Sequence, residues 1–325
     1  MTSWKTIESD PAVFEEFITE KFQVTGVAVN EVYALEPQAL ASFRDVYGLL
    51  FLFKWGKAEG SVEVPNTGVP SNEMVYFAQQ VVPNACSTMA LVNLLANNMD
   101  RLEVGSALKE VVEATQPLDP NSRGIVIGDR VDFRENQNSF APFELYEYEG
   151  VYTGKGDVFH YVSFVYKFGA IWELDGLKSE PVWKSEATDA NYKTMLMNTV
   201  QKRVDEIAQA DKSGNGQGIS FSLMAVVNDP IPVVEKQIAE ATAAGQSADI
   251  LKAELAALQE ARNKGREENQ RRRFNYNPMI GALLKALAEK GELQGILDEL
   301  KSSALEKAKD KKRVKVEEVK GEKKE

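Results

Sequence analysis

The sequence of 325 residues predicts an α+β fold, because candidate strands and helices are intermingled over residues 1–230. A second observation is the change of composition after Pro230, where Ala, Glu, Lys, Gln and Leu become abundant and favour helix. The chain is therefore divided into a mixed domain and a helical extension. The predicted segments are 1–230 as the mixed domain, 231–270 as a helical hairpin, 271–308 as a second helical segment, and 309–325 as a charged, disordered tail.

Two helices are predicted within the mixed domain. Residues 11–20 follow Ser9-Asp10 and place Pro11 in the first helical turn, where a missing N–H does no harm. Residues 86–99 (CSTMALVNLLANNM) are apolar enough to predict a helix inside the core.

Strands are predicted from short apolar runs that end at turn residues. The runs are 47–55 (YGLLFLFKW), 219–227 (ISFSLMAVV), and 158–176, which predicts two strands around a tight turn. The segments 132–157 and 208–218 show no periodic pattern, so both are predicted to be loops.

The helical extension also carries local signals. Residues 233–270 are interrupted at Ala244-Gly245, which predicts a helical hairpin. Asn277-Pro278 is a good pair to begin a further helix, with Asn277 as its cap, and Gly291 can end it. Apolar residues recur at helical spacing on this helix and the next: Ile280, Leu283, Leu284, Leu287, Ile296, Leu297, Leu300 and Leu305.

Composition excludes several classes of function. One cysteine and one histidine exclude a disulfide framework and most transition-metal centres, so no metal ion or cofactor is expected. Residues 1–230 hold 18 Lys and Arg against 32 Asp and Glu, an acidic balance that disfavours nucleic acid and favours a basic partner. The longest apolar run, at 48–53, is too short for a membrane span, and the N-terminus lacks the apolar stretch of a signal peptide. A reduced intracellular compartment is expected.

Cys86 is predicted at a helix N-terminus, because Pro83 stops any upstream helix and Asn84 can cap. The positive end of a helix dipole favours a thiolate there. A lone intracellular cysteine is also compatible with a small buried hydrophobic residue, and its position alone does not decide between the two.

His160 and Asp175 are predicted to face one another across a hairpin. With a two-residue turn at Lys167-Phe168 they are directly opposite; with a turn shifted by one residue they are diagonal but on the same face. A carboxylate beside an imidazole fixes its tautomer and stabilises its cation, as a base serving a thiol requires. A purely structural His–Asp pair is the alternative. Together with Cys86 the pair forms a plausible nucleophilic triad.

The sequence segments around these residues resemble those of the ubiquitin C-terminal hydrolases, a family of cysteine peptidases. QVVPNACSTMAL at 80–91 resembles the family's nucleophile motif, and DVFHYVSFVYKFGAIWELDG at 157–176 resembles its second motif. WKTIESDPAVFEEFI at 4–18 and FRDVYGLLFLFKW at 43–55 are similar to its N-terminal region. The resemblance implies a papain-like, knotted domain with a central antiparallel sheet flanked by helices.

The resemblance implies roles for four residues. Cys86 would be the nucleophile, His160 the general base and acid, and Asp175 the residue that orients the imidazole. Gln80 would donate its amide to the oxyanion together with the Cys86 backbone N–H; from position alone it is only a polar residue before a helix.

The resemblance also implies the substrate. The segment 132–157 matches an active-site crossover under which the C-terminal tail of ubiquitin passes. Acids at this segment could receive the basic tail, although each could equally be a solubilising charge: Asp132, Glu135, Glu144, Glu147 and Glu149. The glycines that end ubiquitin suit a narrow channel.

ENQRRRFNYNPMIGALLKALAEKGEL at 268–293 resembles the tail of the proteasome-associated long branch of the family. This branch implies recruitment to a ubiquitin receptor of the proteasome regulatory particle, a second possible partnership with chromatin-remodelling complexes, and a cytoplasmic and nuclear location. Two alternatives stay open: another Cys-His-Asp acyl-transfer enzyme such as an arylamine acetyltransferase, and a catalytically silent ubiquitin-binding scaffold.

Overall fold

The computed structural model describes residues 3–54, 74–141, 159–210 and 220–303. The chain divides into two compact units. In the described residues, the first unit comprises everything up to Arg273, and the second comprises 274–303.

The first unit is built on an antiparallel sheet in which six strands are described, in the order β1-β6-β2-β3-β4-β5. The strands are β1 Val27–Glu31, β2 Val46–Lys54, β3 Phe159–Lys167, β4 Ala170–Leu174, β5 Val182–Glu186 and β6 Phe221–Asn228. The predicted α+β class with a central antiparallel sheet is confirmed.

Helices pack on both faces of this sheet. Their bounds are α1 Pro11–Glu16, α2 Cys86–Ala96, α3 Ser106–Thr115, α4 Pro120–Gly128, α5 Val131–Asn138, α6 Tyr192–Ala210, α7 Pro230–Ala243 and α8 Asp249–Arg273. The core on one face includes side chains of α1 and α2, whereas the core on the other face includes those of α6. The predicted core helix at 86–99 therefore corresponds to α2.

Strand β2 is apolar up to Phe53 because this part of it is buried on both faces. Leu49, Phe51 and Phe53 point into one core, and Leu50 points into the other. Gly48 lies beside a bulge in the pairing of β2 with β6. A Cβ at this position would lie 2.7 Å from the carbonyl oxygen of Phe164, so the close approach of β3 requires glycine.

Several predicted boundaries differ from the structure. Residues 132–138 of the predicted loop 132–157 belong to α5, because Phe133 and Gln137 are buried and anchor a short helix that has little apolar periodicity. Residues 142–157 of the predicted loop lie outside the described residues. Helix α6 continues to Ala210, into the predicted loop 208–218, whose remainder also lies outside them. The predicted helix 11–20 ends at Glu16 and continues as a π-helical turn, Phe17–Lys21.

The second unit contains helix α9, Asn277–Glu289, and a helical stretch described over 293–303. Tyr276, not Asn277, occupies the N-cap position, and Pro278 lies in the first turn. Gly291 has a φ of 75°, a left-handed conformation that ends the helix as predicted. Large apolar side chains are exposed within this unit: Met279, Ile280, Leu283, Leu284, Ile296, Leu297 and Leu300. Among the residues that the structure describes, no helix has the length and apolar character needed to cross a bilayer.

Candidate active site

Cys86 is the first residue of α2, as predicted, and it is partly buried. The chain reaches the helix through Asn84, whose φ of 63° lies in the left-handed region. Asn84 was predicted to cap α2, but the N-cap position is Ala85. The Asn84 amide instead donates to the carbonyl oxygen of Trp4 at 3.2 Å. The backbone N–H of Cys86 lies in the first turn of α2, where it has no acceptor within the helix. It is therefore available to donate a hydrogen bond to a substrate oxygen.

His160 and Asp175 lie on the β3–β4 hairpin, whose turn is Phe168-Gly169 with φ values of 51° and 74°. The turn is one residue later than the position Lys167-Phe168, because glycine favours the left-handed conformation that a two-residue hairpin turn needs. The directly opposite pairing is therefore wrong. The diagonal arrangement on one face, expected for the shifted turn, is the one observed.

His160 interacts with Asp175 and with Cys86. Its Nε2 lies 2.7 Å from Oδ1 of Asp175, and Cys86 is close enough to help raise its pKa. Burial by itself would lower the pKa of His160. The hydrogen bond to Asp175 and the interaction with Cys86, with the charges of both groups, outweigh burial and raise that pKa from 6.5 to about 9. The imidazole is therefore protonated at neutral pH.

Asp175 is buried and is fixed by its own turn. Its Oδ1 accepts the backbone N–H of Leu177 at 3.0 Å, and Nζ of Lys178 lies 4.0 Å from its other oxygen. Burial opposes the charged form of Asp175, but the hydrogen bond and charge of His160, helped by these two neighbours, hold its pKa below the usual value. The carboxylate is thus ionised and able to stabilise an imidazolium.

Gln80 lies beside the turn that follows Asp175. Its backbone N–H donates to the carbonyl oxygen of Gly176 at 2.8 Å, and a Cβ at position 176 would lie 3.0 Å from Cβ of Gln80, so the approach favours glycine. The side-chain Nε2 donates to the carbonyl oxygen of Val82 at 3.1 Å. The buried Oε1 has no hydrogen-bond partner within the described residues. The fold therefore brings Gln80 to the turn that carries Asp175.

The sequence profile described as "Ubiquitin carboxyl-terminal hydrolase, family 1" matches residues 4–207, well over half of the chain. The protein belongs to this family. A second profile, described as "Ubiquitin carboxyl-terminal hydrolases", matches residues 248–293. The chain is thus a ubiquitin C-terminal hydrolase, a cysteine peptidase, and family membership favours this chemistry over acetyl transfer or a silent scaffold.

The similarity of this hydrolase to known relatives extends over nearly its whole length. It is 33% identical to the ubiquitin carboxyl-terminal hydrolase ubh-4 of Caenorhabditis elegans, over 94% of each chain. It is 30% identical to ubiquitin carboxyl-terminal hydrolase isozyme L5 of Dictyostelium discoideum, over 94% of this chain and 97% of the other. A crystal structure of Trichinella spiralis UCH37 bound to ubiquitin vinyl methyl ester matches with a TM-score of 0.65 and 30% identity, covering 81% of this chain and 99% of that one.

The acids predicted to receive a basic tail are described only in part. Asp132 pairs with Arg130 through two hydrogen bonds, of which the Nε–Oδ1 bond is 2.7 Å long. Glu135 is exposed on α5. Glu144, Glu147 and Glu149 lie outside the described residues.

A buried charge cluster next to Asp175 was not predicted from the sequence. Glu173 is fully buried, and its carboxylate contacts Lys184, Lys178 at 3.3 Å and Arg203 at 3.4 Å. Burial would raise the pKa of Glu173, but the three cations hold it below its usual value. Because Lys178 also approaches Asp175, the cluster supports the turn that carries the carboxylate. The contact could not be predicted from the sequence, because Lys184 and Arg203 lie on other elements than Glu173, on β5 and α6.

Gln137 is a second unpredicted residue at this site. It lies in a polar stretch without a motif, yet it is fully buried. It hydrogen-bonds Asn84, which precedes Cys86 in the sequence, and Thr88, which follows it. Only its three-dimensional neighbours reveal this connection.

Proposed function

We propose that Cys86, His160 and Asp175 are the catalytic triad with which this peptidase hydrolyses amide and isopeptide bonds at the C-terminal glycine of ubiquitin. The observation that carries the proposal is the position of His160, which hydrogen-bonds the buried carboxylate of Asp175 and lies close enough to the only thiol in the chain for that thiol to help raise its pKa.

Each residue has a defined step in this reaction. The Cys86 thiolate attacks the carbonyl carbon of the terminal glycine, and the carbonyl electrons move to oxygen. Protonated His160 gives its proton to the leaving amine as the C–N bond breaks, and a thioester remains. Neutral His160 then takes a proton from water, whose oxygen attacks the thioester and releases the carboxylate of ubiquitin and the thiol. Asp175 keeps Nε2 of the imidazole occupied, which leaves Nδ1 for Cys86 and for the substrate.

We further propose that Gln80 and the backbone N–H of Cys86 stabilise the oxyanion. The Gln80 amide already lies beside the turn that follows Asp175, and it donates to a carbonyl oxygen in the absence of substrate. Donors that are fixed before reaction stabilise developing charge without reorganisation. In this step the Gln80 amide exchanges the carbonyl oxygen of Val82 for the substrate oxygen as its acceptor.

The proposed substrate is supported by the charge of the chain and by the relatives. The acidic balance over residues 1–230 suits a basic partner. The Trichinella spiralis UCH37 structures hold ubiquitin vinyl methyl ester, an electrophilic form of ubiquitin.

Intact mass measurement after incubation with ubiquitin vinyl methyl ester tests the proposal. The vinyl carbon should form one thioether with the protein, and Cys86 is the only thiol that can supply it. We expect one probe per chain for the native protein, none for Cys86→Ala, and none for urea-unfolded protein, whose thiol is exposed but not activated. Hydrolysis of a fluorogenic ubiquitin amide by Cys86→Ala would refute the triad.

For the second unit we propose recruitment to the proteasome regulatory particle, with the ubiquitin receptor as the partner. Supporting this, α9 exposes Leu283 and Leu284, whose side chains are 56% and 46% accessible within the described structure. Two short helices bury too little surface to be stable alone, so a partner that covers these leucines would stabilise them. A location in cytoplasm and nucleus, and a second association with chromatin-remodelling complexes, are proposed from the same resemblance of residues 268–293.

A further inference from the structure

The side chain of Gln137 joins helix α5 to the turn that carries the thiol. Gln137 is fully buried, and its Oε1 accepts from the hydroxyl of Ser87 at 2.9 Å and from the hydroxyl and backbone N–H of Thr88 at 2.7 and 3.3 Å. Its Nε2 donates to the carbonyl oxygens of Lys5 at 2.6 Å and Asn84 at 2.7 Å. The donors and acceptors around the Gln137 amide fix its orientation. If the amide were flipped, its carbonyl oxygen would face the carbonyl oxygens of Lys5 and Asn84, and no donor would lie between them.

Helix α2 needs this contact because its own N-cap residue supplies none. Ala85 has no side-chain acceptor, so the N–H groups of the first turn have no local partner. Gln137 accepts the N–H of Thr88 and thereby acts as a cap supplied from another helix. The N–H of Cys86 stays outside this contact.

The other end of the amide holds the residue before the helix. Asn84 has a left-handed backbone, which is unfavourable for a residue with a Cβ and persists where neighbours impose it. Its carbonyl oxygen is held by Gln137 and its side chain by the carbonyl oxygen of Trp4. The orientation of the following peptides, including the N–H of Cys86, is set by this turn.

We propose that Gln137 is a positioning residue for the reaction, which fixes the backbone N–H of Cys86 by holding Asn84 and Thr88 on either side of it. This inference rests on the proposed role of Cys86. Gln137 itself contacts neither the thiol nor His160 in any hydrogen bond that the structure describes, so its effect is exerted through the backbone.

Gln137→Met tests the proposal, because it keeps the length of the side chain and removes all five hydrogen bonds. We expect kcat on a fluorogenic ubiquitin amide to fall on the order of 10²-fold with KM changed by less than about threefold, since misplacement of reacting groups affects the transition state most. The matched control is Asn98→Leu. It removes a buried amide that donates to the carbonyl oxygens of Tyr47 and Leu94, beyond the opposite end of α2.

A second readout separates positioning from general destabilisation. Alkylation of the single thiol by iodoacetamide needs no oxyanion donor, so its rate should change by less than about threefold in Gln137→Met while amide hydrolysis falls. Loss of stability alone would instead expose the thiol and raise its alkylation rate. It would also lower the activity of Gln137→Met and Asn98→Leu equally. Equal losses in the two variants, or a kcat within about twofold of wild type for Gln137→Met, would overturn the proposal.

If Gln137→Met does not fold, Gln137→Glu gives the answer, because its carboxyl group keeps an acceptor for Ser87 and Thr88 and loses at least one of the two donations even when burial keeps it protonated. We expect its kcat to fall at least tenfold while circular dichroism shows native helix content; native kcat would refute a role for the contact with Asn84. Cys86→Ala is measured in parallel. Activity in Cys86→Ala would overturn the triad, whereas an inactive Cys86→Ala beside a fully active Gln137→Met would overturn only the role of Gln137.

Discussion

At the scale of single residues, the site is organised around His160, the only histidine of the chain. Its raised pKa and the lowered pKa of Asp175 have one cause, because each buried group stabilises the charged form of the other. The pair was predictable from sequence because both members lie on one hairpin and are fifteen residues apart.

Asp175→Asn should leave the fold intact and reduce kcat by up to about 10⁴-fold, because the imidazole loses the acceptor that orients it and stabilises its cation. The pKa of His160 should fall from about 9. A proton-NMR titration measures it without assignment, since the chain has a single imidazole. Asp189→Asn, which alters a carboxylate that accepts from Tyr166 on the surface, is the control; an unchanged titration in Asp175→Asn would show that another group raises the pKa.

Stability should depend on pH through His160. The native pKa, about 9, lies above the ordinary value of 6.5, so the native state retains a proton that the unfolded chain releases between these values. The contribution is fully present below pH 6.5 and is lost as pH rises through 9, with a magnitude on the order of 3 kcal/mol. Urea unfolding of wild type and His160→Gln at pH 6 and pH 9.5 measures it. The difference in unfolding free energy between them should shrink at the higher pH; a constant difference would contradict it.

Gln80→Ala should lower kcat by about 10²–10³-fold, as expected when one oxyanion donor is lost. Gln79→Ala is a neighbouring control, because the Gln79 amide oxygen accepts from Asn121 on α4 and takes no part in the proposed site. If Gln80→Ala raises KM and leaves kcat unchanged, Gln80 binds ubiquitin without stabilising the oxyanion.

At the scale of secondary-structure elements, the docking of α8 on α1 extends the first unit beyond the mixed domain. Gly265 permits the approach, because a Cβ there would lie 2.7 Å from Cβ of Ala12. Arg262 fixes it through two hydrogen bonds to Asp229, at 2.9 and 3.1 Å, and one to Glu15 at 2.8 Å. Sequence predicted the helical hairpin of α7 and α8 but not the contact of α8 with α1, because these two helices are more than 200 residues apart.

Arg262→Met should lower the unfolding free energy by about 3 kcal/mol, because two poorly exposed carboxylates would lose their shared cation. Arg266→Met removes an equivalent guanidinium from an exposed pair with Glu20, and its cost should be below about 1 kcal/mol. Chemical denaturation of both variants gives the comparison. Equal losses of unfolding free energy in the two variants would mean that burial of the Arg262 ion pairs does not increase their contribution to stability.

At the scale of the whole molecule, the proposed recruitment depends on the exposed leucines of the second unit. Leu283→Lys with Leu284→Lys should abolish capture by purified proteasome regulatory particle and leave labelling by ubiquitin vinyl methyl ester unchanged. Glu289→Lys changes the net charge of α9 by the same two units while keeping the leucines, so it should bind normally. Capture of the double variant at wild-type affinity would place the docking surface elsewhere, and a fall in melting temperature would place the leucines in an internal core.

Local sequence patterns were enough to predict the α+β class, the buried strands, the position of Cys86 at a helix start and the closeness of His160 to Asp175. Each of these follows from periodicity or from turn chemistry over a short stretch of chain, which physical propensities describe well. Only the folded chain reveals that His160 lies beside Cys86, that three cations surround Glu173, and that Gln137 hydrogen-bonds residues before and after Cys86. The contacts of His160 with Cys86 and of Gln137 join residues tens of positions apart, and the cations around Glu173 come from different elements. A polar side chain is buried only where the folded chain brings complementary donors and acceptors to it.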